Sequence, residues 1–227
     1  MSRPLALLLC ALALVIAACG GDDEADSPAP KKNDSPATTA GGCAKTKAPA
    51  PKPDGGAKKP SAPLKAKVAY DVVLKTNCGS FTIRVDQAQS PKTAASFVSL
   101  ARQGFFDDTT FHRIVPGFVI QGGDPTGTGT GGPGYFTRDT PAPDTNYTKG
   151  TVAMAKTQTE PAGTAGSQFY VVTAPDAGLA ADYAVLGAVV EGQNVVDRIA
   201  KLGDPNSGDL GTPLEPVVVE SATVQES

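Results

Sequence analysis

The stretch FHRIVPGFVIQGGD, residues 111–124, carries the most informative pattern in this chain of 227 residues. Its β-branched and aromatic residues are typical of β-strands. It also holds His112, the only histidine of the chain, so a His-rich metal site is excluded. His112 lies in a strand-like context between Phe111 and Arg113, and we expect a hydrogen-bonded structural histidine rather than a member of a hydrolase triad. No G-x-S-x-G motif accompanies it.

Upstream of this stretch, the pattern predicts a hairpin and a helix. Residues 69–76 and 80–85 read as two strands, joined by a turn at Asn77-Cys78-Gly79. Ser90-Pro91 predicts the start of a helix, with Ser90 as N-cap and Pro91 at the first helical position.

Downstream, short strands are predicted around residues 150–155, 168–173 and 183–190, and a closing strand at 217–219. Apolar spacing predicts a second helix over residues 193–202. Many strands with only two helices favour a mainly β fold, either a barrel or a sandwich. The regular alternation of a parallel α/β sheet is missing.

The N-terminal residues have a different character. Residues 1–18 contain one basic residue and an apolar run that is too short to span a bilayer, which predicts a signal peptide. Small residues directly before Cys19 resemble a bacterial lipobox, which implies cleavage before Cys19 and lipid attachment to its thiol. The alternative is ordinary secretion with an incidental cysteine at this position.

Residues 19–67 are rich in Pro, Ala and Lys and contain no aromatic residue. Such a segment buries too little apolar surface to offset the entropy of ordering it, so we predict a disordered tether. Periodic apolar patterning begins at Val68, and residues 68–227 are long enough for one well-buried domain.

Charge and motifs exclude two other function classes. The net charge of −3 gives no electrostatic reason to expect nucleic acid binding. Residues 127–132 match G-x-G-x-x-G, but a dinucleotide site requires a helix directly after this motif. Pro133-Gly134 follows instead and prevents such a helix.

Residues 111–124 resemble the signature of the cyclophilin-type peptidyl-prolyl cis-trans isomerases. Met154-Ala155, residues 164–170 and residues 179–187 resemble further blocks of that family, in the family's order. The resemblance covers residues 68–227 and implies a closed eight-stranded antiparallel β-barrel capped by two α-helices. It implies an enzyme without cofactor or metal that acts on Pro-containing polypeptides.

The chemistry of this reaction needs few groups. Amide resonance opposes rotation about an Xaa-Pro bond with a barrier of ~18–20 kcal/mol. A catalyst must therefore favour the twisted amide, whose prolyl nitrogen becomes basic. A fixed guanidinium that donates a hydrogen bond to that nitrogen, beside an apolar pocket for the ring, meets this need.

The resemblance assigns a role to each site residue. Arg113 is the expected catalytic guanidinium, and Gln121 is expected to position it and the substrate carbonyl. Lys156 is expected to border the peptide groove through backbone contacts, and the Tyr183 hydroxyl to bond the substrate. The remaining residues are expected to line the proline pocket (Phe118, Val119, Tyr170, Leu179) or to border the groove (Ala155, Gln168).

Three positions depart from the family. Tyr170 replaces the usual Phe and places a hydroxyl at the pocket. Gly178 stands where the best-studied members carry Trp, and Lys156 replaces a common Asn. Catalytic efficiency and the preferred residue before Pro are therefore left open.

Two cysteines, Cys43 and Cys78, remain after the signal peptide and Cys19 are set aside. An exported protein meets an oxidising compartment, so a Cys43–Cys78 disulfide is expected to pin the tether to the first hairpin. Two unrelated free thiols are the alternative.

These observations predict a monomeric, extracytoplasmic prolyl isomerase that is anchored to the bacterial membrane by lipid on Cys19 and assists exported proteins. A non-catalytic module that binds Pro-containing peptides is the main alternative. A structural or adhesion domain at the cell surface is a third.

Overall fold

The computed structural model describes residues 42–227, which contain eleven β-strands, two α-helices and a short 3₁₀ helix at Gly208–Leu210. The helices are α1 (Pro91–Arg102) and α2 (Gln193–Ala200). The strands are β1 (Tyr70–Thr76), β2 (Gly79–Val85), β3 (Thr109–Thr110), β4 (Arg113–Val115), β5 (Val119–Gly122), β6 (Thr137–Arg138), β7 (Thr151–Met154), β8 (Thr164–Ala165), β9 (Phe169–Val172), β10 (Val185–Glu191) and β11 (Val218–Glu226). The mainly β class with two α-helices is confirmed for this part of the chain.

Nine strands form one antiparallel sheet in the order β3-β11-β1-β2-β10-β7-β9-β5-β4, and β6 pairs separately with β8. The sheet is an open half-barrel, so the predicted closed eight-stranded barrel is wrong. Its end strands β3 and β4 are separated by only Phe111 and His112. Among the strands of the described residues, β3 pairs only with β11 and β4 only with β5, so these two end strands do not pair with each other and the sheet stays open. A single bridge, Thr110 with Asp124, connects β3 to the segment after β5.

The main core lies between the sheet and the two helices. Phe97 of α1 meets Phe169 of β9 edge to face, with 5.3 Å between ring centroids. Phe106 and Phe111 stack around the same Phe169 ring at 6.0 Å and 5.9 Å. Edge-to-face aromatic packing adds to the stability from area burial, so this aromatic cluster fixes β9 against α1.

The start of α1 agrees with the prediction in position and differs in its cap. Pro91 is at the first helical position, but the Ser90 side chain makes no capping hydrogen bond. Instead, the backbone N–H of Thr93 donates to Asp139 Oδ2 at 2.7 Å. A carboxylate at a helix N-terminus satisfies a free N–H and complements the helix dipole, so a distant loop provides the cap.

Residues 42–67 follow the surface of the sheet domain, and we call them the strap. The predicted disorder is wrong for these residues, the described part of the tether. The Lys52 ammonium donates to the carbonyls of Phe105 at 2.6 Å and Asp107 at 2.9 Å, just after α1. Backbone bonds join Gly55 N–H to the Gly132 carbonyl and Ala57 N–H to that of Pro133. Hydrogen bonds thus replace the apolar burial that the strap's composition lacks.

A disulfide joins Cys43 of the strap to Cys78 in the β1–β2 turn, and both side chains are buried. Next to it, the N–H of Ala44 donates to the Asn77 carbonyl at 2.7 Å, and the Asn77 side chain donates back to the Ala44 carbonyl at 2.8 Å. The strap therefore begins with a covalent link to the first hairpin.

The predicted signal peptide (1–18), the lipidation site Cys19 and tether residues 20–41 lie outside the described residues. Within residues 42–227, no helix combines the length and apolar character that a membrane crossing requires. Over the same residues, no group of three or more His, Cys, Asp or Glu side chains is arranged to hold a metal ion.

Candidate active site

The candidate site lies where β4, β5 and β9 are neighbours in the sheet. Antiparallel register pairs Arg113 of β4 with Gln121 of β5, and Gln121 with Tyr170 of β9. Since cross-strand partners on one face are in reach of each other, the sheet itself brings these three predicted residues together.

Arg113, Gln121 and Gln168 form a hydrogen-bonded chain, which we call the polar relay. Arg113 Nη1 donates to Gln121 Oε1 at 3.3 Å, and Gln121 Nε2 donates to Gln168 Oε1 at 3.0 Å. Gln168 Nε2 in turn donates to the carbonyls of Gly129 at 3.0 Å and Gly131 at 2.9 Å. Each amide is oriented by the next, so the polar relay connects the glycine loop to Arg113 by continuous hydrogen bonds.

The Arg113 guanidinium is held from a second side. Its Nε donates to the Asp209 carbonyl at 2.9 Å, and its Cζ lies 5.9 Å from the centroid of the Phe118 ring. A guanidinium stacked on an aromatic ring and bonded at both ends loses rotational freedom. The cation is thereby fixed at the edge of the apolar residues.

The predicted apolar site residues belong to a second hydrophobic cluster, separate from the main core. Val119 and Tyr170 are buried within it, together with Ala153, Val172 and Val185. The other predicted members pack against these as partly buried side chains: Phe118, Ala155, Leu179 and Tyr183. The structure thus brings the predicted proline-pocket residues into one apolar surface beside Arg113.

Tyr170 differs from the Phe that is usual in the family by the hydroxyl on its ring. Among the described residues, its oxygen is buried without a hydrogen-bond partner. Burial is the main cause that raises the pKa of Tyr170 far above its usual range, with smaller contributions from Tyr147, Tyr183 and Asp182. The hydroxyl therefore stays neutral at any physiological pH and can donate a hydrogen bond.

Tyr147 supports this pocket and was missed in the sequence. Its hydroxyl donates to the Tyr183 carbonyl at 2.7 Å and accepts from the Tyr183 N–H at 3.0 Å. The Tyr183 ring then meets Tyr170 edge to face at 5.7 Å. Tyr147 lies in an irregular loop with no surrounding motif, so nothing in the local sequence indicated its role.

Lys156 lies at the site with its side chain engaged. Only 2% of that side chain is exposed, and the ammonium pairs with Asp182 at 2.5 Å and lies 5.4 Å from the Tyr183 ring centroid. Nearby, the Ala155 N–H donates to the Gln168 carbonyl at 2.9 Å. Gln121, Ala155, Lys156 and Gln168 border a cleft of about 520 Å³, which continues along the glycine loop.

The glycine loop, residues 125–134, is organised by a buried carboxylate. Asp124 accepts hydrogen bonds from the backbone of Thr126 at 2.7 Å, Gly129 at 2.6 Å and Gly131 at 3.2 Å. Burial opposes ionisation of Asp124, but these bonds outweigh it and lower the pKa of the carboxyl. The N–H groups that a nucleotide phosphate would require are occupied, which agrees with the exclusion of a dinucleotide site.

His112 lies beside this loop, where a Cβ added at Gly129 would lie 3.8 Å from its ring. Its pKa is lowered, mainly by burial, although Asp124 opposes the shift. Both ring nitrogens are buried without a hydrogen-bond partner among the described residues, so the expected hydrogen bonding of His112 is wrong, although the ring is packed at the β3–β4 junction.

The described site combines a fixed cation, an apolar cluster and side-chain amides that border a cleft. Such groups suit an extended peptide and an electrostatic rather than covalent action on it, which is the character of a non-covalent catalyst. The family model described as cyclophilin type peptidyl-prolyl cis-trans isomerase matches residues 71–224. The chain belongs to this family.

Similar proteins come from distant organisms. Peptidyl-prolyl cis-trans isomerase B of Streptomyces anulatus is 39% identical over 169 residues, which cover 67% of this chain and 94% of the relative. Peptidyl-prolyl cis-trans isomerase-like 1 of Gibberella zeae is 37% identical over 160 residues, covering 69% and 95%. The crystal structure of a cyclophilin type isomerase of Cryptosporidium parvum, determined in the presence of the dipeptide Ala-Pro, is 28% identical with a TM-score of 0.62. It covers 69% of this chain and 99% of that one.

Proposed function

We propose that this protein catalyses the cis–trans isomerisation of Xaa-Pro bonds in exported polypeptides, with Arg113 as the catalytic residue. The observation that carries the proposal is the guanidinium of Arg113, fixed by Gln121, Asp209 and Phe118 at the edge of an apolar cluster. Family membership and the Ala-Pro dipeptide present with the C. parvum relative support it.

The proline ring of a substrate is placed against the apolar cluster around Val119 and Tyr170. The flanking peptide lies along the cleft next to Gln121 and Gln168. When the amide twists, its nitrogen loses conjugation and accepts a hydrogen bond from the Arg113 guanidinium. This bond is stronger in the twisted state than in either planar state, so it lowers the barrier instead of only tightening binding.

The Tyr170 hydroxyl lies beneath this apolar cluster, with its oxygen buried and without a hydrogen-bond partner among the described residues. A substrate reaches this oxygen only when the covering side chains move, and the O–H then donates a hydrogen bond that the usual Phe does not provide.

The test is the isomerisation rate of a short Xaa-Pro peptide in the presence of the full chain. Arg113→Ala is expected to lower kcat/KM by about 100-fold, the effect of removing one transition-state donor. Arg138→Ala is the matched control, since Arg138 is exposed and bonds the Ala162 carbonyl away from the cluster.

Two results would contradict the proposal. No acceleration by the wild type would favour the non-catalytic peptide-binding module. Equal activity of Arg113→Ala would leave an isomerase with a different catalytic residue.

We also propose that the protein acts as an extracytoplasmic monomer held at the membrane by lipid on Cys19. The apolar run that ends in small residues before Cys19 supports this location. Cys19→Ser is expected to move the protein from the membrane to the soluble fraction, whereas Cys10→Ser is expected to have no effect. Retention of Cys19→Ser in the membrane would contradict lipid anchoring. The molar mass of Cys19→Ser in detergent-free solution, measured by light scattering, tests whether the protein is a monomer.

A further inference from the structure

We propose that the strap is a positioning element of the active site, acting through Asp54 on the glycine loop. The strap lies outside the family-matched residues 71–224, so this role belongs to this chain rather than to the shared fold. The inference rests on the proposed function, because it concerns the placement of Arg113.

The strap and the glycine loop run together over six strap residues. One contact uses a side chain: Asp54 Oδ1 accepts from the Gly132 N–H at 2.8 Å. Three more are backbone bonds: Lys52 N–H to the Pro125 carbonyl at 2.8 Å, Gly55 N–H to Gly132 at 2.9 Å and Ala57 N–H to Pro133 at 3.1 Å. Gly132 is therefore bonded to the strap through both its N–H and its carbonyl.

Gly132 follows Gly131, whose carbonyl accepts a hydrogen bond from Gln168, the last member of the polar relay. The Gly132 N–H donates a hydrogen bond to Asp54. The Gly131 carbonyl and this N–H belong to the same peptide unit. A peptide unit is planar and moves as one body. The carboxylate of Asp54 thus holds one side of the peptide whose other side orients Gln168.

The loop needs this second support because of its composition. Residues 125–134 include Gly127, Gly129, Gly131, Gly132 and Gly134, and glycine leaves the backbone little intrinsic preference. Asp124 holds the loop from inside through Gly129 and Gly131. Asp54 holds it from outside, so the two carboxylates restrict it between them.

The strap is itself firmly placed. The ammonium of Lys52, two residues before Asp54, bonds the carbonyls after α1. Farther along, Gly55 and Gly134 approach so closely that a Cβ at Gly134 would lie 3.1 Å from the Gly55 Cα. A side chain at Gly134 would crowd the strap, and both glycines adopt a positive φ that favours glycine, which keeps the strap in register with the loop.

From Asp54 the connection to Arg113 is continuous: the Gly131–Gly132 peptide, then Gln168, Gln121 and the guanidinium. Removing the Asp54 carboxylate releases that peptide and lets Gln168 and Gln121 reorient. Because catalysis depends steeply on the placement of the donor, the rate falls while the fold is retained.

The experiment compares variants of the full chain in the Xaa-Pro assay. Asp54→Ala is expected to lower kcat/KM by about tenfold, the equivalent of one lost hydrogen bond to a charged group. Asp54→Asn retains an oxygen acceptor and is expected to keep activity within about twofold of wild type, on the same scale. Asp86→Ala is the matched control: Asp86 accepts the backbone N–H groups of Ala88 and Gln89, in the turn before α1.

A second comparison separates positioning from general destabilisation. In an Arg113→Ala background, Asp54→Ala is expected to produce no further loss, since its effect passes through the guanidinium. An equal loss in both backgrounds, a loss in Asp54→Asn as large as in Asp54→Ala, or the same loss in Asp86→Ala would overturn the inference.

The two proposals fail in different ways. If the wild type is active and depends on Arg113, but Asp54→Ala is as active as wild type, the strap has no positioning role and the proposed function stands. If the wild type is inactive, or Arg113→Ala retains full activity, the proposed function fails first and the inference fails with it.

Discussion

The strap and the sheet domain are held in place by different forces. The sheet and its helices bury a continuous set of large side chains, including Phe97, Phe106 and Phe169. The strap contributes almost no large apolar side chain and is attached by one disulfide and by hydrogen bonds to backbone carbonyls. The composition of a segment therefore indicates how much apolar surface it can bury, but not which hydrogen-bond partners the rest of the molecule provides for it.

The first prediction tests the apolar half of this comparison and has the largest expected effect. Phe106→Ala removes a fully buried ring that contacts Phe97, Phe105 and Phe169. We expect the free energy of unfolding to fall by about 3–5 kcal/mol, because a cavity is left. Equilibrium unfolding in guanidinium chloride measures this loss of stability. Phe136→Ala, at a side chain that is 61% exposed, is the control; equal losses would contradict the assignment of the core.

The second prediction removes the covalent attachment of the strap. Cys43→Ala with Cys78→Ala opens a loop with a sequence separation of 35 residues. The free energy of unfolding is expected to fall by about 2–4 kcal/mol, chiefly because the unfolded chain gains freedom. Unfolding in guanidinium without reductant measures this loss, and circular dichroism should show an intact sheet. An unchanged midpoint would mean that hydrogen bonds alone hold the strap.

The third prediction sharpens the hydrogen-bonded part of the strap. Lys52→Met keeps an unbranched apolar stem and removes the ammonium that bonds Phe105 and Asp107. A loss of about 1–2 kcal/mol is expected, since the two carbonyls lose a charged donor. Hydrogen exchange should show faster exchange at Gly55 and Gly132. Lys47→Met, at an exposed strap position, is the control, and similar behaviour of both variants would contradict a stabilising role of the Lys52 ammonium.

The smallest effect is expected for an ion pair on the surface of the sheet. Arg84 donates two hydrogen bonds to Asp71 across β1 and β2, and the bond to Arg84 is the main cause that lowers the pKa of Asp71. A lowered carboxyl pKa stabilises the fold above the ordinary value of 3.8, and this stability is lost as the pH falls through the lowered pKa.

Thermal unfolding of wild type and Asp71→Asn between neutral and acidic pH tests this sign. The wild type should unfold at a slightly higher temperature near neutral pH, and the two midpoints should converge in acid. Because exposed ion pairs contribute little, a difference larger than that of Lys52→Met would reverse the order of effects. A difference that grows in acid would contradict the pKa direction.

Local patterns predicted the parts that depend on neighbours in sequence. The β1–β2 hairpin has the expected turn, with Thr76 paired to Gly79. Helix α2 begins at Gln193 as predicted and ends at Ala200, two residues before the expected end. In both cases, alternation or helical spacing within a short window carries the information.

The features that were missed depend on residues far apart in the chain. Asp139 rather than Ser90 caps α1, and Tyr147 supports Tyr183 across 36 residues. The sheet is open because its end strands β3 and β4 do not pair, and β3, with two residues, is too short to carry its own pattern. Arg113 and Gln121 could be named because residues 111–124 resemble the cyclophilin signature, and the structure holds both in one pair of strands. The role of Asp54 could not, because its partner Gly132 is 78 positions away.

The disulfide also determines how the protein carries mechanical load. A pulling force that enters the chain before Cys43 passes directly through the covalent link to Cys78. Residues 44–77, which include most of the strap and all of β1, form a closed loop beside this path and bear no tension. Asp54 and Gly55, which bond Gly132, lie on that unloaded loop. Tension on a surface-attached molecule would therefore reach the sheet at the β1–β2 turn and leave the contacts next to the active site relaxed.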